Sequence, residues 1–372
     1  METIKKTLFY LTIGLIITSC SKDDGPSFLP EDLDQDGIVT EYEALVDLYT
    51  KNPENTLSWD ISDTDISNWE GVTLNAETQK VEKLSLDSKN LSVLPSSIGN
   101  LTEITEFYFQ SNPIDEIPEE FYNLTKLRYV YFFNNNVSYI SPKIEQLENL
   151  EHLYSPRCKI KSLPQSIANL KKLQQLSLRE NPIEIFPEII GEIENLTVLW
   201  MYNTPIKEIP GSVLSKLSKL EVLSISNCEL TSLPASIYDI PSLTSLSISR
   251  NNLGGISSDI QKLTTLTALH CDEINMTTLP EEIGSLTNLT NIQANNNQLS
   301  TIPASIGNLD KLIFLGFDTN NITSIPVEIG NLTGLKFLTL TNNPNLVNLP
   351  QEVCDLQNTG TEIRLDNIVV CQ

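Results

Sequence analysis

From Val81 onward, apolar residues return at the first, fourth and sixth places of a unit 23 residues long, and the pattern runs almost to the end of the chain. The units begin at Val81, Ile104, Leu127, Leu150, Leu173, Leu196, Leu220, Leu243, Leu266, Leu289, Leu312 and Leu335, which makes twelve, two of them 24 residues long. Two neighbours illustrate the regularity: LTNIQANNNQLSTIPASIGNLDK from Leu289 and LIFLGFDTNNITSIPVEIGNLTG from Leu312. The alternation over LxxLxLxx predicts a short strand whose leucines point inward and whose intervening residues point out. Asn112, Asn135, Asn181, Asn251, Asn297, Asn320 and Asn343 stand at the ninth place, where the chain leaves the strand. Their amides are expected to bond loop backbone groups that would otherwise lack partners, one rung per unit. The second half, LPxxIGNL, turns the chain and returns it. Proline follows the apolar residue in ten of the twelve units, with Ser141 and Ser257 departing.

This LxxLxLxxNxLxxLPxxIxxL unit resembles the leucine-rich repeat, over about three-quarters of the chain (residues 81–356). The resemblance implies an α/β solenoid, curved, with a parallel β-sheet on its concave face, and a surface used for binding. The proline-marked unit is similar to that of Ras-binding and scribble-type proteins and of many bacterial relatives. Within residues 32–80, the helix-like EYEALVDLY, Trp59 and Asn68-Trp69-Glu70-Gly71-Val72-Thr73 resemble the N-terminal cap of plant extracellular leucine-rich receptors. In those caps a cysteine stands two residues before that tryptophan and another five after it. Ser67 and Leu74 stand there instead, so this cap is expected to rely on packing, with Trp59 and Trp69 in its core. Residues 357–372 are read as a C-terminal cap, and Cys354 and Cys371, which bracket them, as a disulfide in an oxidising compartment. Cys158 and Cys228 take the asparagine place and Cys271 a core leucine place; all three read as buried, inert thiols.

Charge and the first residues narrow the setting. The 24 basic and 48 acidic residues leave a formal charge of −24, which repels phosphate backbones and sets nucleic acid aside as a partner. Lys5 and Lys6 precede an apolar run from Leu8 to Ile17 that is too short to span a bilayer. Ile17-Thr18-Ser19-Cys20 then resembles a bacterial lipobox. That resemblance implies a signal peptide over 1–19, a diacylated Cys20 (carrying acyl chains such as palmitate) and a tether over 20–31; the alternative is an ordinary signal peptide with an incidental cysteine. Ser21-Lys22-Asp23-Asp24 resembles the Lys-acidic-acidic export signal of surface lipoproteins in Bacteroidetes, which implies the outer membrane and its outer face rather than the periplasmic one.

One metal motif stands out. Asp32-Leu33-Asp34-Gln35-Asp36-Gly37-Ile38-Val39-Thr40-Glu41-Tyr42-Glu43 resembles a twelve-residue EF-hand loop. Calcium needs several hard oxygens, a sharp glycine turn and a bidentate carboxylate to close the shell. Asp32, Asp34, Asp36 and Glu43 would supply side-chain oxygens, with the Ile38 carbonyl and a water held near Thr40, in a structural role between tether and cap. Thr40 and Glu43 also form a capping box that starts the EYEALVDLY helix without metal.

Enzyme chemistry finds little in the sequence: His152 and His270 are the only histidines, and neither a phosphate-cradling glycine loop nor a zinc-spaced cluster appears. The informative residues break the small-polar monotony of the concave face. Its central outward place carries Ser85, Tyr108, Tyr131, Tyr154, Ser177, Trp200, Ser224, Ser247, His270, Gln293, Gly316 and Thr339. Aromatics cluster in the second to sixth units, where neighbouring outward places add Tyr129, Phe133, His152 and Tyr202, with Arg128, Arg157 and Arg179 alongside. Tyrosine, tryptophan and arginine dominate binding hot spots, so this patch is the expected ligand site; cross-strand stacking that merely stabilises the sheet is the alternative. Phe314 and Phe337 mark a smaller contact or meet the C-terminal cap. The expected partner is a protein or peptide, with a glycan, or a structural envelope role without a ligand, as the alternatives.

Overall fold

The computed structural model describes residues 38–367 and 369–372, so Cys20, the lipobox, Asp32, Asp34 and Asp36 lie outside the described residues. The repeat period appears directly as sheet topology. A 14-stranded sheet runs in chain order from β1 (Val72–Leu74) and β2 (Val81–Ser85) through β3 (Glu106–Tyr108), β4 (Tyr129–Tyr131), β5 (His152–Tyr154), β6 (Gln175–Ser177) and β7 (Val198–Trp200). It continues through β8 (Val222–Ser224), β9 (Ser245–Ser247), β10 (Ala268–His270), β11 (Asn291–Gln293), β12 (Phe314–Gly316) and β13 (Phe337–Thr339). β1 is antiparallel to β2, and each later neighbour is parallel and in register, so that Tyr108, Tyr131, Tyr154, Ser177 and Trp200 line one row. The leucines at the first, fourth and sixth places are buried in one continuous apolar core.

The asparagine ladder closes the turn after each strand. Nδ2 of Asn112 donates to the carbonyls of Leu86 (2.8 Å) in the preceding unit and Phe109 (2.9 Å) in its own, while its Oδ1 accepts from Lys89 and Leu91 N–H at 3.0 Å. Asn181, Asn251 and Asn343 repeat the geometry. Where cysteine holds the place, the thiol makes the weaker version of the same bond, Cys158 to Phe132 at 3.4 Å and Cys228 to Met201 at 3.3 Å. Burial pushes the Cys158 thiol up to about 11, and it raises those of Cys228 and Cys271.

On the convex side, the proline, or Ser141 and Ser257 in its place, opens a short 3-10 turn in most units, which backs onto the next one. A Cβ at Gly307 would stand 2.4 Å from the Glu328 carbonyl oxygen, so only glycine allows this approach. Two units put a tyrosine at that glycine place, Tyr122 and Tyr238, and the next unit then carries Ser141 or Ser257 in place of proline. The tyrosine hydroxyl accepts from the backbone N–H that proline would lack: Ser141 N to Tyr122 at 3.1 Å, Ser257 N to Tyr238 at 3.3 Å. The two departures therefore have one cause.

The N-terminal cap is held by packing and buried hydrogen bonds. Trp59 and Trp69 stack at 4.8 Å, Tyr42 lies 5.8 Å from Trp69, and Tyr49 lies 6.3 Å from Trp59. Helix α1 (Glu41–Lys51) docks on the first repeat through Glu41 Oε2, which accepts from Val81 N at 3.0 Å, and Asp47, which accepts from Ser97 Oγ at 2.6 Å. At its start, Glu43 Oε2 accepts from Thr40 N (2.7 Å) and Oγ1 (2.8 Å), completing the capping box.

The closing segment extends the sheet as well as covering it. After a one-turn helix (α2, Gly211–Leu214) in the sixth unit, the last repeat carries β14 (Asn348–Leu349) and α3 (Gln351–Cys354). Then β15 (Glu362–Arg364) adds parallel to β13, and β16 (Val370–Cys371) pairs with β14. The boundary expected at 357 falls inside the turn Asp355–Thr359, and the segment after it continues the sheet by one more parallel strand. The Cys354–Cys371 disulfide ties this segment to the preceding helix.

Candidate functional site

The strands of the second to sixth units bring the expected aromatic residues together, and the rings pack on one another. Tyr108 meets Tyr131 edge-on at 4.9 Å, Tyr131 and Tyr154 stack at 4.4 Å with planes 7° apart, and Tyr154 meets Trp200 edge-on at 5.5 Å. The Tyr154–Trp200 contact crosses the small Ser177 between them in the row. In the next row His152 packs against Tyr129 at 4.8 Å and lies parallel to Tyr154 at 5.8 Å. All seven aromatics of the patch, Tyr108, Tyr129, Tyr131, Phe133, Tyr154, Trp200 and Tyr202, are half-buried. The outward place thus leaves less apolar surface wet than the alternation alone implies, because Tyr108, Tyr129, Tyr131, Tyr154 and Trp200 reach over to rings on other strands. Each such pair adds about 0.5–1.5 kcal/mol beyond its buried area, so stacking supplies rigidity as well as surface.

The ring hydroxyls are tied down by His152, already in the expected patch, and by Glu106, Glu151 and Gln175, which the sequence did not single out. Tyr108 donates to Glu106 Oε2 at 2.9 Å, Tyr129 to Glu151 Oε2 at 3.2 Å and Tyr154 to Gln175 Oε1, while Tyr131 is bonded to His152 Nδ1 at 3.2 Å. Lys83, Glu106, Tyr129, His152 and Gln175 form the first outward row of the strands, and that row beside the central one points to Glu106 and Gln175, while Glu151 stands one residue before it. Burial raises the phenol of Tyr108 and pushes that of Tyr154 up to about 12, and it also raises Tyr129 and Tyr131. These groups are therefore neutral at physiological pH. Burial lowers His152 from its ordinary value, against the opposing pull of Glu151.

The cations differ among themselves. Arg128 grips Glu151 with two bonds, 2.8 and 3.1 Å, and lies over the Tyr129 ring at 5.0 Å. Arg157 pairs with Glu180 at 2.6 Å. Arg179 instead lies over Tyr202, 5.3 Å from its centroid, and donates to its hydroxyl. His152 and Cys158 form no catalytic pair: the thiol donates to the carbonyls of Phe132 and Pro156. His270 sits at the end of β10, far along the sheet, half-buried and lowered by burial. Phe314 and Phe337 are 6.3 Å apart at the C-terminal end of the concave face, with Phe337 the more open. Of the calcium-loop residues, Ile38, Thr40 and Glu43 fall in the described part, and there Glu43 serves the capping box.

Comparison with known proteins agrees with this geometry. A family model described as "Leucine-rich repeat region" matches residues 119–204 and 257–359, and one described as "Leucine rich repeat" matches 194–253. No match was found among curated proteins. Among solved structures, an internalin from Listeria monocytogenes is similar at 21% identity and a TM-score of 0.65, covering 79% of this chain and 87% of its own. The PEPR1–AtPEP1 structure is similar at 25% identity and a TM-score of 0.65, covering 89% of this chain and 55% of that one. The Arabidopsis receptor kinase HAESA, in complex with the peptide hormone IDA and the co-receptor SERK1, is similar at 22% identity and a TM-score of 0.65, covering 87% of this chain and 66% of that one. This chain therefore spans only 55% and 66% of those two chains. With the family's repeats matched over more than half of its 372 residues, and with the strand, asparagine rung and return turn of each unit in place, the chain belongs to the leucine-rich-repeat proteins.

Proposed function

We propose that this chain is a lipid-anchored protein of the bacterial outer membrane, displayed at the cell surface, that binds a protein or peptide partner through the aromatic concave face. The observation that carries the reading is the restriction of the ring ladder from Tyr108 to Trp200 to one stretch of an otherwise small-polar sheet. Stacking for stability alone gives no reason for that restriction, since every unit has the same strands to hold. Pre-packed rings with fixed hydroxyls also suit recognition, because little side-chain freedom is lost when a partner docks. HAESA is described in complex with the peptide hormone IDA on the same architecture. A glycan would stack on a free aromatic face, and Tyr131 and Tyr154 each give one face to the other, which supports the protein reading over the sugar one.

The lipobox ending at Cys20 supports the anchor, and the Ser21-Lys22-Asp23-Asp24 run supports export to the outer face. The loop from Asp32 to Glu43 is assigned a structural calcium ion between tether and cap, with Asp32, Asp34, Asp36 and Glu43 as its carboxylates. Capture by the chain would be compared with capture by a Tyr131→Ala/Trp200→Ala variant, offering surface proteins and a glycan panel in calcium. Protein capture lost only in the variant supports the reading; equal capture by both removes the site from this face. Protease added to intact cells would degrade the protein if it is displayed, and would spare it on the periplasmic face.

A further inference from the structure

The arginines of this solenoid follow a rule. Three are answered by a carboxylate one unit further along, Arg128 by Glu151 at 2.8 Å, Arg157 by Glu180 at 2.6 Å and Arg250 by Glu273 at 3.2 Å, as is Lys83 by Glu106 at 3.2 Å. Arg364, on the last strand, pairs with Glu362 at 2.7 Å. Arg179 breaks the rule, because the residue 23 places on is Tyr202. No carboxylate pairs with Arg179 among the described residues, and its recorded partner is the Tyr202 hydroxyl. Scarcity does not explain the gap, since acidic residues outnumber basic ones by 48 to 24.

Taking the concave face as a binding surface, we infer that Arg179 and Tyr202 form a socket for one acidic side chain of a protein partner. The chemistry is convergent. A guanidinium carries five N–H donors in a planar fork, and a single phenol oxygen uses one of them. The Tyr202 oxygen, having accepted from Arg179, keeps its own proton to donate, and no acceptor for it stands among the described residues. Two kinds of donor thus meet two residues beyond Trp200, with no acceptor for them among the described residues other than the Tyr202 oxygen itself. Phe133, half-buried, stands two units before Arg179 in the same row, with the buried Pro156 between them.

The charge of the whole chain sharpens the partner's chemistry. A formal −24 repels an acidic tract, whose many charges all feel the long-range field. That field is screened beyond about 8 Å at physiological salt, while a contact pair is not. The fitting partner therefore offers an isolated Asp or Glu among apolar residues.

The test selects binders to the full chain from a random peptide library joined to its carrier at the peptide C-terminus, so that only side-chain carboxylates are offered. Selected peptides are expected to share an Asp or Glu at a fixed distance from an apolar residue. Arg179→Gln should weaken them about 10- to 100-fold, as losing a charged hydrogen-bond pair does. Changing the peptide's Asp to Asn should cost a similar factor, and the two changes together little more than either. Tyr202→Phe, which removes only the hydroxyl, should weaken the same peptides by a smaller factor. If Arg179→Gln binds normally while Tyr131→Ala/Trp200→Ala does not, the socket is wrong and the aromatic face stands. Selected peptides without a shared acidic residue also overturn the socket. If none of these variants matters, or no peptide is selected, both readings fall.

Discussion

Replacing Tyr122 by phenylalanine removes one oxygen from a side chain that is 1% exposed, and it orphans the Ser141 N–H, which now bonds to that oxygen at 3.1 Å. Ser141 is itself buried, so no water replaces the acceptor. A buried donor left without a partner costs about 1–3 kcal/mol. Ser141→Pro alone should cost a similar amount. Its backbone angle of −63° already suits proline, but the ring would press on the Tyr122 oxygen, and the serine cap to Lys143 N would be lost. Together the two changes remove the Ser141 N–H and the Tyr122 oxygen as a pair, so that only the lost cap to Lys143 N remains as a cost. The double variant should therefore be more stable than the sum of the single losses predicts, by a coupling of about 1–2 kcal/mol. Urea unfolding of the four proteins gives this number, and amide exchange localises it to the second and third units. Ser141→Ala separates the cap from the backbone bond, because it keeps the N–H. Additive losses in the double variant would refute the pairing and leave the two serine departures unexplained.

Other expectations follow from the same coordinates. Gly284→Ala places a Cβ 2.5 Å from the Ser305 carbonyl oxygen and should destabilise by about 1–3 kcal/mol, whereas Gly211→Ala meets nothing nearer than 3.8 Å and should be neutral or gain up to about 1 kcal/mol; thermal unfolding compares them directly. His270 is lowered by burial, with Asp272 pulling the other way, so the unfolded chain takes up its proton first as pH falls. Its stabilising contribution is full above its ordinary value of 6.5 and is lost as pH drops from there toward the folded value; His270→Gln should flatten that part of the stability–pH curve. Opening the Cys354–Cys371 link, which spans 17 residues, should cost about 3 kcal/mol and free the amides of β15 and β16 to exchange while the aromatic strands stay protected.

Nearly all of the fold is legible in the sequence, because a 23-residue period with alternating leucines leaves one way to bury every unit's apolar face. The outward positions are legible for the same reason, and each expected aromatic does lie on the concave side. What escapes a linear reading is whatever depends on the neighbouring unit. The half-burial of Tyr131 and Tyr154 comes from their stacking across two strands, which no residue reveals alone. The proline departures at Ser141 and Ser257 are visible, but their cause sits 19 residues upstream in Tyr122 and Tyr238. The final strand, Glu362–Arg364, was hidden because it lacks the leucine spacing of a full unit.

The asparagine rungs have a consequence for how such a chain changes over generations. Each amide satisfies carbonyls on both sides of a unit boundary, so removing or duplicating a whole unit restores every bond at the new junction. A cut that respects the period is nearly silent, while one that misses it by a few residues strands polar groups at one seam. Length is therefore a freely adjustable trait of this scaffold, with the tyrosine–serine pairs as the exception. Tyr122 and Ser141 stand on opposite sides of a boundary, as do Tyr238 and Ser257, and a lineage that inherits one without the other carries a defect. Those two seams are where the array resists being shuffled, and the first of them runs beneath the aromatic strands.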